Sequence, residues 1–176
     1  FQMGRVATLS DRLHDQAEIN PTIFVGIHYI DRYDRWKKYH PDGEHHDAYT
    51  AFLMKEAIPT VEDTLHIEPV SRALIGDSLA GTFAFMTATA FPSSFQKIIM
   101  QSPLVNEHVL TRARTAKNIQ SMEIFHSIGI EETAVSTTNG EIIDFLQPNR
   151  ELHQLLKTTC HHYIYDEFYG NHTWKY

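Results

Sequence analysis

At 176 residues, with 42% hydrophobic and 21% charged side chains, the chain has the make-up of a globular domain with a sizeable core, which excludes disorder. A formal charge of −7 and a pI near 5.9 leave no basic footprint for nucleic acid, and no apolar run is long enough to span a bilayer. The single cysteine, Cys160, excludes an internal disulfide framework, and with no visible signal peptide the cytoplasm is the default expectation.

Met3 to Glu18 reads as helical, Thr22 to Tyr29 as a strand and Asp47 to Leu65 as a helix. Ala73 to Ile75 reads as a strand leading into a turn, with a helix from Leu79 to Thr89 or Ala90. Lys97 to Gln101 is a strand, Thr111 to Gln120 helical, Glu123 to Ile128 a strand, Glu141 to Thr158 a helix and Tyr163 to Glu167 a last strand. Strands alternating with helices predict an α/β fold, a parallel sheet covered by helices. The run Ile23-Phe24-Val25-Gly26-Ile27 has the composition of a strand buried on both faces. No linker, repeat or low-complexity segment intervenes, so residues 1–176 read as one domain. The opening at Phe1 and the close at Tyr176, directly after an aromatic run, suggest a fragment of a longer domain.

In parallel sheets ligands gather beyond the carboxyl ends of the strands. There Ile75 runs into Gly76-Asp77-Ser78-Leu79-Ala80-Gly81, a Gly-x-Ser-x-x-Gly turn between strand and helix. Forcing a serine onto so tight a turn crowds the backbone, hence the glycines, and lifts the hydroxyl clear of the sheet. The following helix N-terminus aims free N–H groups at the same spot, where they can stabilise an oxyanion. Ser78 is thus a candidate nucleophile.

A serine hydroxyl needs a base, and the base an acid that orients it. In strand-built hydrolases the order is serine, acid, histidine, the last two on loops after late strands. Of twelve histidines, His172 stands in that place, between Gly170 and Trp174 after the last strand. His126, within a strand, His153, within a helix, His14 and His66 read as packing or surface residues. For the acid, Glu132 follows the strand Glu123 to Ile128 directly and is the first choice. Glu131, Asp144 and the pair Asp166-Glu167 are the alternatives.

His45-His46, with His40 and Asp47 nearby, matches no common zinc spacing and reads as a polar loop, as does His161-His162. Neither a metal nor a cofactor is expected. Asp31-Arg32-Tyr33-Asp34-Arg35-Trp36 lies beyond a strand end and could line a pocket. Arg32 could hold a substrate carboxylate there, or pair with Asp31 or Asp34. Tyr29, Tyr33, Trp36 and Trp174 would suit a flat acyl group, or simply pack the loops.

Several stretches together carry a resemblance. They are Phe24-Val25-Gly26-Ile27 followed by Arg32 to Arg35 and Tyr39-His40-Pro41, then Phe52-Leu53 with Glu56-Ala57-Ile58-Pro59. The elbow Gly76 to Gly81, Gln101-Ser102-Pro103, Gly129-x-x-Glu132 and Gly170-Asn171-His172-Thr173-Trp174 complete them. With these the chain resembles the esterase family of alpha/beta hydrolases that includes enterochelin-esterase-like enzymes, S-formylglutathione hydrolase and feruloyl esterases. The resemblance implies an alpha/beta-hydrolase fold, a mostly parallel sheet flanked by helices. It also implies a serine carboxylesterase acting on small-molecule acyl esters, with acyl transfer or a noncatalytic binding module as alternatives. Ser78 would attack the carbonyl carbon, His172 relay the proton, Glu132 orient the imidazole and the Leu79 N–H serve as one oxyanion donor. Many relatives carry Asp where this chain has Glu132. Relatives also have further N-terminal strands and an Asp-Gly loop giving the second oxyanion N–H, which would fall just before Phe1. A chain without them is expected to be an excised part of an active enzyme, with homo-oligomerisation left open.

Overall fold

The computed structural model describes residues 5–29, 31, 33–137 and 140–173. The chain divides into two compact units, residues 1–30 with 173–176 and residues 31–172. In the smaller unit, α1 (Val6–Asp15) has Arg12 in its last turn, where a cation suits the helix dipole. The His14 ring takes a hydrogen bond from the Thr22 N–H at 3.0 Å. The strand expected over Thr22 to Tyr29 is absent. These residues pair in no ladder, and Ile23 and Val25 are more than half exposed. β-branched composition favours a pleated surface but cannot make a strand without a neighbour to take its N–H and C=O groups.

The larger unit opens with α2 (Asp34–Tyr39) and a longer helical stretch. The expected helix from Asp47 to Leu65 is there, but in three pieces. These are α3 (His46–Phe52), a π-helical turn (Leu53–Ala57) and α4 (Ile58–Leu65). The widened turn lies just before Pro59, which has no N–H to donate and whose ring would crowd the carbonyl of residue 55 in a regular helix.

Four parallel strands then form a sheet in the order β1-β2-β3-β6, namely β1 (Ala73–Asp77), β2 (Lys97–Gln101), β3 (Glu123–Gly129) and β6 (His162–Phe168). The crossovers carry α5 (Leu79–Ala90), α6 (Glu107–Thr115) with a 3-10 turn (Lys117–Ser121), and α7 (Leu146–Thr159). The helix expected from Glu141 begins later. Ile142-Ile143 (β5) pairs instead with Val135-Ser136 (β4) in a small antiparallel ribbon, and Asp144 accepts from the Gln147 N–H at the start of α7.

Side chains alternate across the sheet, so the register decides which residues share a face. Leu74, Ile98, Ile124 and Tyr163 align in one row, Gly76, Met100, His126 and Tyr165 in the next. On that face Ile98, Met100 and Ile124 join Phe85 and Ala88 of α5, Val109 of α6, and Leu152 and Leu156 of α7 in one buried core. The opposite face carries the row Ile75, Ile99, Phe125 and Ile164. Its outer members Ile75 and Ile164 are 59% and 63% exposed. No helix among the described residues is long and apolar enough to cross a membrane.

Parallel pairing also lines up the strand ends. Asp77, Gln101, Ser127 and Asp166 stand level, and Gly129 is level with Phe168. The residues that leave the sheet there, Ser78, Ser102, Glu132 and His172, are therefore delivered to one edge.

Candidate active site

Ser78 sits between β1 and α5 with φ 53° and ψ −126°, a conformation that L residues avoid and that costs on the order of 1–3 kcal/mol. Surrounding hydrogen bonds impose it. The Ser78 N–H donates to the Gln101 carbonyl at 2.8 Å, and the Ser78 carbonyl accepts from the N–H groups of Gly81, Thr82 and Leu104. The turn closes only over glycine, since a Cβ at Gly76 would lie 2.2 Å from the Ala80 carbonyl oxygen. Leu79 and Ala80 fall in the first turn of α5, whose N–H groups have no acceptor within the helix. The backbone beside the hydroxyl thus carries donors suited to an oxyanion.

His172 leaves the end of β6, and its Nε2 lies 3.0 Å from the Ser78 Oγ. Its Nδ1 is 2.5 Å from Oε2 of Glu132. An ionised carboxylate only accepts, so Nδ1 carries the proton and Nε2 offers its lone pair to the Ser78 hydroxyl. The Phe145 ring packs on the imidazole with centroids 4.7 Å apart.

Glu132 is 1% exposed, yet it stays ionised. Burial alone would push its carboxyl up. The hydrogen bonds from His172, from the Ser102 hydroxyl and from the Gly129 N–H outweigh burial and hold it below the usual carboxylate range. Oε1 receives Ser102 Oγ at 2.6 Å and the Gly129 N–H at 2.9 Å. The Glu132 carbonyl accepts from the Phe145 and Leu146 N–H groups, which ties the acid's loop to the start of α7. The Glu131 N–H bonds the Gly170 carbonyl, which ties the same loop to the one that bears His172.

Glu131 and Asp144 are exposed and do not meet His172. Glu167 is engaged by the Arg150 guanidinium, which with the Tyr165 hydroxyl holds its carboxyl down at about 2. His126 is buried and bonded to Tyr163 and Asn149, while His153 stacks on Tyr165. His40 bonds Asn106 and stacks on Trp36, and His46 packs its ring edge-on against Phe83.

A cavity of about 60 Å³ opens beside Ser78 and His172. Leu79, Leu104, Val135 and Phe145 give it apolar walls; Arg35, Trp36, Ser136 and Thr137 complete the lining. From the run Asp31 to Trp36, Arg35 and Trp36 thus reach the cavity, whereas Arg32 and Trp174 lie outside the described residues. Sequence reasoning missed the bond from Ser102 to Glu132. What the sequence showed was only that Ser102 directly follows a strand; that this strand lies beside the elbow strand and ends level with it is visible in the register.

The structure is similar to that of the enterobactin esterase FES from Shigella flexneri, with a TM-score of 0.74 and 16% identity over 92% of this chain, although it spans only 42% of that protein. It is also similar to a ferulic acid esterase, with a TM-score of 0.69 and 17% identity over 99% of this chain and 72% of the other. Likeness at such identities is likeness of fold, here the alpha/beta-hydrolase arrangement. In sequence the chain is 40% identical over 178 residues to the uncharacterized protein YjcH of Bacillus subtilis (strain 168), covering all of this chain and 74% of YjcH. The family model described as "Putative esterase" matches residues 1–176, and the chain belongs to that esterase family.

Proposed function

We propose that the chain is a serine carboxylesterase that hydrolyses small-molecule acyl esters through an acyl-enzyme. One observation carries the reading. The Ser78 hydroxyl lies 3.0 Å from a histidine nitrogen whose ring partner nitrogen is held by a fully buried carboxylate.

Ser78 Oγ attacks the ester carbonyl carbon while its proton passes to Nε2 of His172, and the carbonyl oxygen becomes an oxyanion facing the Leu79 N–H. The imidazolium, paired with Glu132, returns that proton to the departing alkoxide, which leaves as the alcohol. Water then attacks the acyl-serine, gives its proton to the same nitrogen and releases the acid, restoring the Ser78 hydroxyl. The ester and one water molecule are the reactants this chemistry consumes.

Hydrolysis of short p-nitrophenyl esters tests the proposal. Turnover by the parent protein that disappears in Ser78→Ala at an unchanged thermal midpoint is the expected result. Substantial turnover by clean Ser78→Ala protein would overturn it.

A further inference from the structure

The two oxygens of Glu132 have separate partners, and one of those partners is a side chain outside the serine, histidine and acid set. Oε2 faces His172, while Oε1 takes a hydrogen bond from Ser102 Oγ at 2.6 Å and another from the Gly129 N–H at 2.9 Å. A carboxylate free to turn about its last torsion would present either oxygen, in a range of planes, to the imidazole. Two donors converging on Oε1 remove that freedom. The Ser102 backbone is itself committed to the task. Its φ of 44° is in the left-handed region, which is costly for any residue with a Cβ, and its N–H is locked to the Ser127 carbonyl at 2.7 Å. Glycine would relieve that strain, so what serine supplies here is its hydroxyl. The residue is only 9% exposed, which shields the bond from competing water.

We infer that Ser102 is a positioning residue. Its hydroxyl clamps Oε1 of Glu132 so that Oε2 meets Nδ1 of His172, and it shares the carboxylate's charge so that the acid restrains, without over-stabilising, the imidazolium. The inference rests on the esterase reading given above. Removal of the hydroxyl leaves the carboxylate with one donor fewer and makes it a stronger acceptor toward His172. The imidazolium is then favoured, and a higher pH is needed to regenerate the neutral base.

The test compares Ser102→Gly, which suits the backbone, with Ser102→Ala, which retains the strain. Three readouts are taken: the pH profile of kcat/KM on p-nitrophenyl acetate, the proton NMR resonance of the His172 Nδ1–H, and the thermal midpoint. In both variants the acid limb should move up by about half to one pH unit, and kcat should fall about tenfold or more while KM changes by less than about twofold. The Nδ1–H resonance should move downfield in both. The thermal midpoint of Ser102→Gly should stand at or above that of Ser102→Ala. A merely structural serine would leave the acid limb and the resonance at their parent positions, with rate losses tracking the thermal midpoints, and that outcome overturns the inference. Should the parent protein hydrolyse no ester, the esterase reading falls, and the Nδ1–H resonance alone still decides the role of Ser102.

Discussion

His126 Nε2 and Asn149 Oδ1 are joined across 2.6 Å at the centre of the helix-covered core, and the direction of the bond is determined by its surroundings. The Asn149 amide donates to the carbonyls of Pro103 and Phe145, which turns Oδ1 toward the imidazole. His126 therefore donates from Nε2, and Nδ1 accepts from the Tyr163 hydroxyl at 2.9 Å. The ring is neutral, and burial pushes it down to about 4, against the Asn149 bond, which pulls the other way.

This group makes stability pH-dependent. Its folded value lies below the unfolded value near 6.5, so between the two the unfolded chain binds more protons and stability falls as pH falls. The loss runs from about pH 6.5 to about pH 4 and totals about 3 kcal/mol. Denaturant unfolding at pH 7 and at pH 4.5, for the parent protein and for His126→Gln, measures it. The parent should lose more stability than the variant on acidification; equal losses would refute a buried neutral His126.

Glu132→Gln should reverse the histidine tautomer. Ser102 and Gly129 both donate to Oε1, so the glutamine oxygen will take that place and turn its NH2 toward His172. Nδ1 must then accept, and Nε2 presents a proton to Ser78 where a lone pair is needed. The turnover number should drop roughly a thousandfold or more with a much smaller change in KM, as measured by steady-state kinetics. A loss of less than about tenfold would mean that Glu132 does not orient the base.

Gly129→Ala should damage stability and activity together. The added Cβ would meet the Gly170 carbonyl oxygen at 2.4 Å and Glu132 Oε1 at 2.8 Å, so either the acid or the loop bearing His172 must shift. Overpacking of this kind costs about 1–3 kcal/mol. Thermal unfolding and ester turnover should both decline, and a variant with parent stability and rate would show that the loops have slack.

The sheet was readable where a strand and its neighbours are all local to the parallel unit. Lys97–Gln101 falls at the expected residues, and the elbow serine is marked by the glycines its turn needs. Thr22 to Tyr29 misled because its β-branched pattern reports a preference, while pairing depends on a partner. Ile142-Ile143 misled in the opposite way, since its polar neighbours continue into a helix and the pairing with Val135-Ser136 is set by the chain's return. The π-turn before Pro59 is a local adjustment that periodicity does not reveal. Ser78, Glu132 and His172 could be named from their places after strands, because parallel registry brings strand ends level. The grip of Ser102 on Glu132 depends on a left-handed backbone and on register between strands, neither of which composition encodes.

Labelling with a fluorophosphonate probe, followed by peptide mass mapping, tests the role of Ser78 most directly. Only a hydroxyl whose proton is taken by a base attacks such a probe quickly, so the adduct should appear on the peptide containing Ser78, disappear in His172→Ala and weaken in Glu132→Gln. An adduct on Ser102, or a Ser78 no more reactive than an ordinary surface serine, would contradict a nucleophile activated by His172.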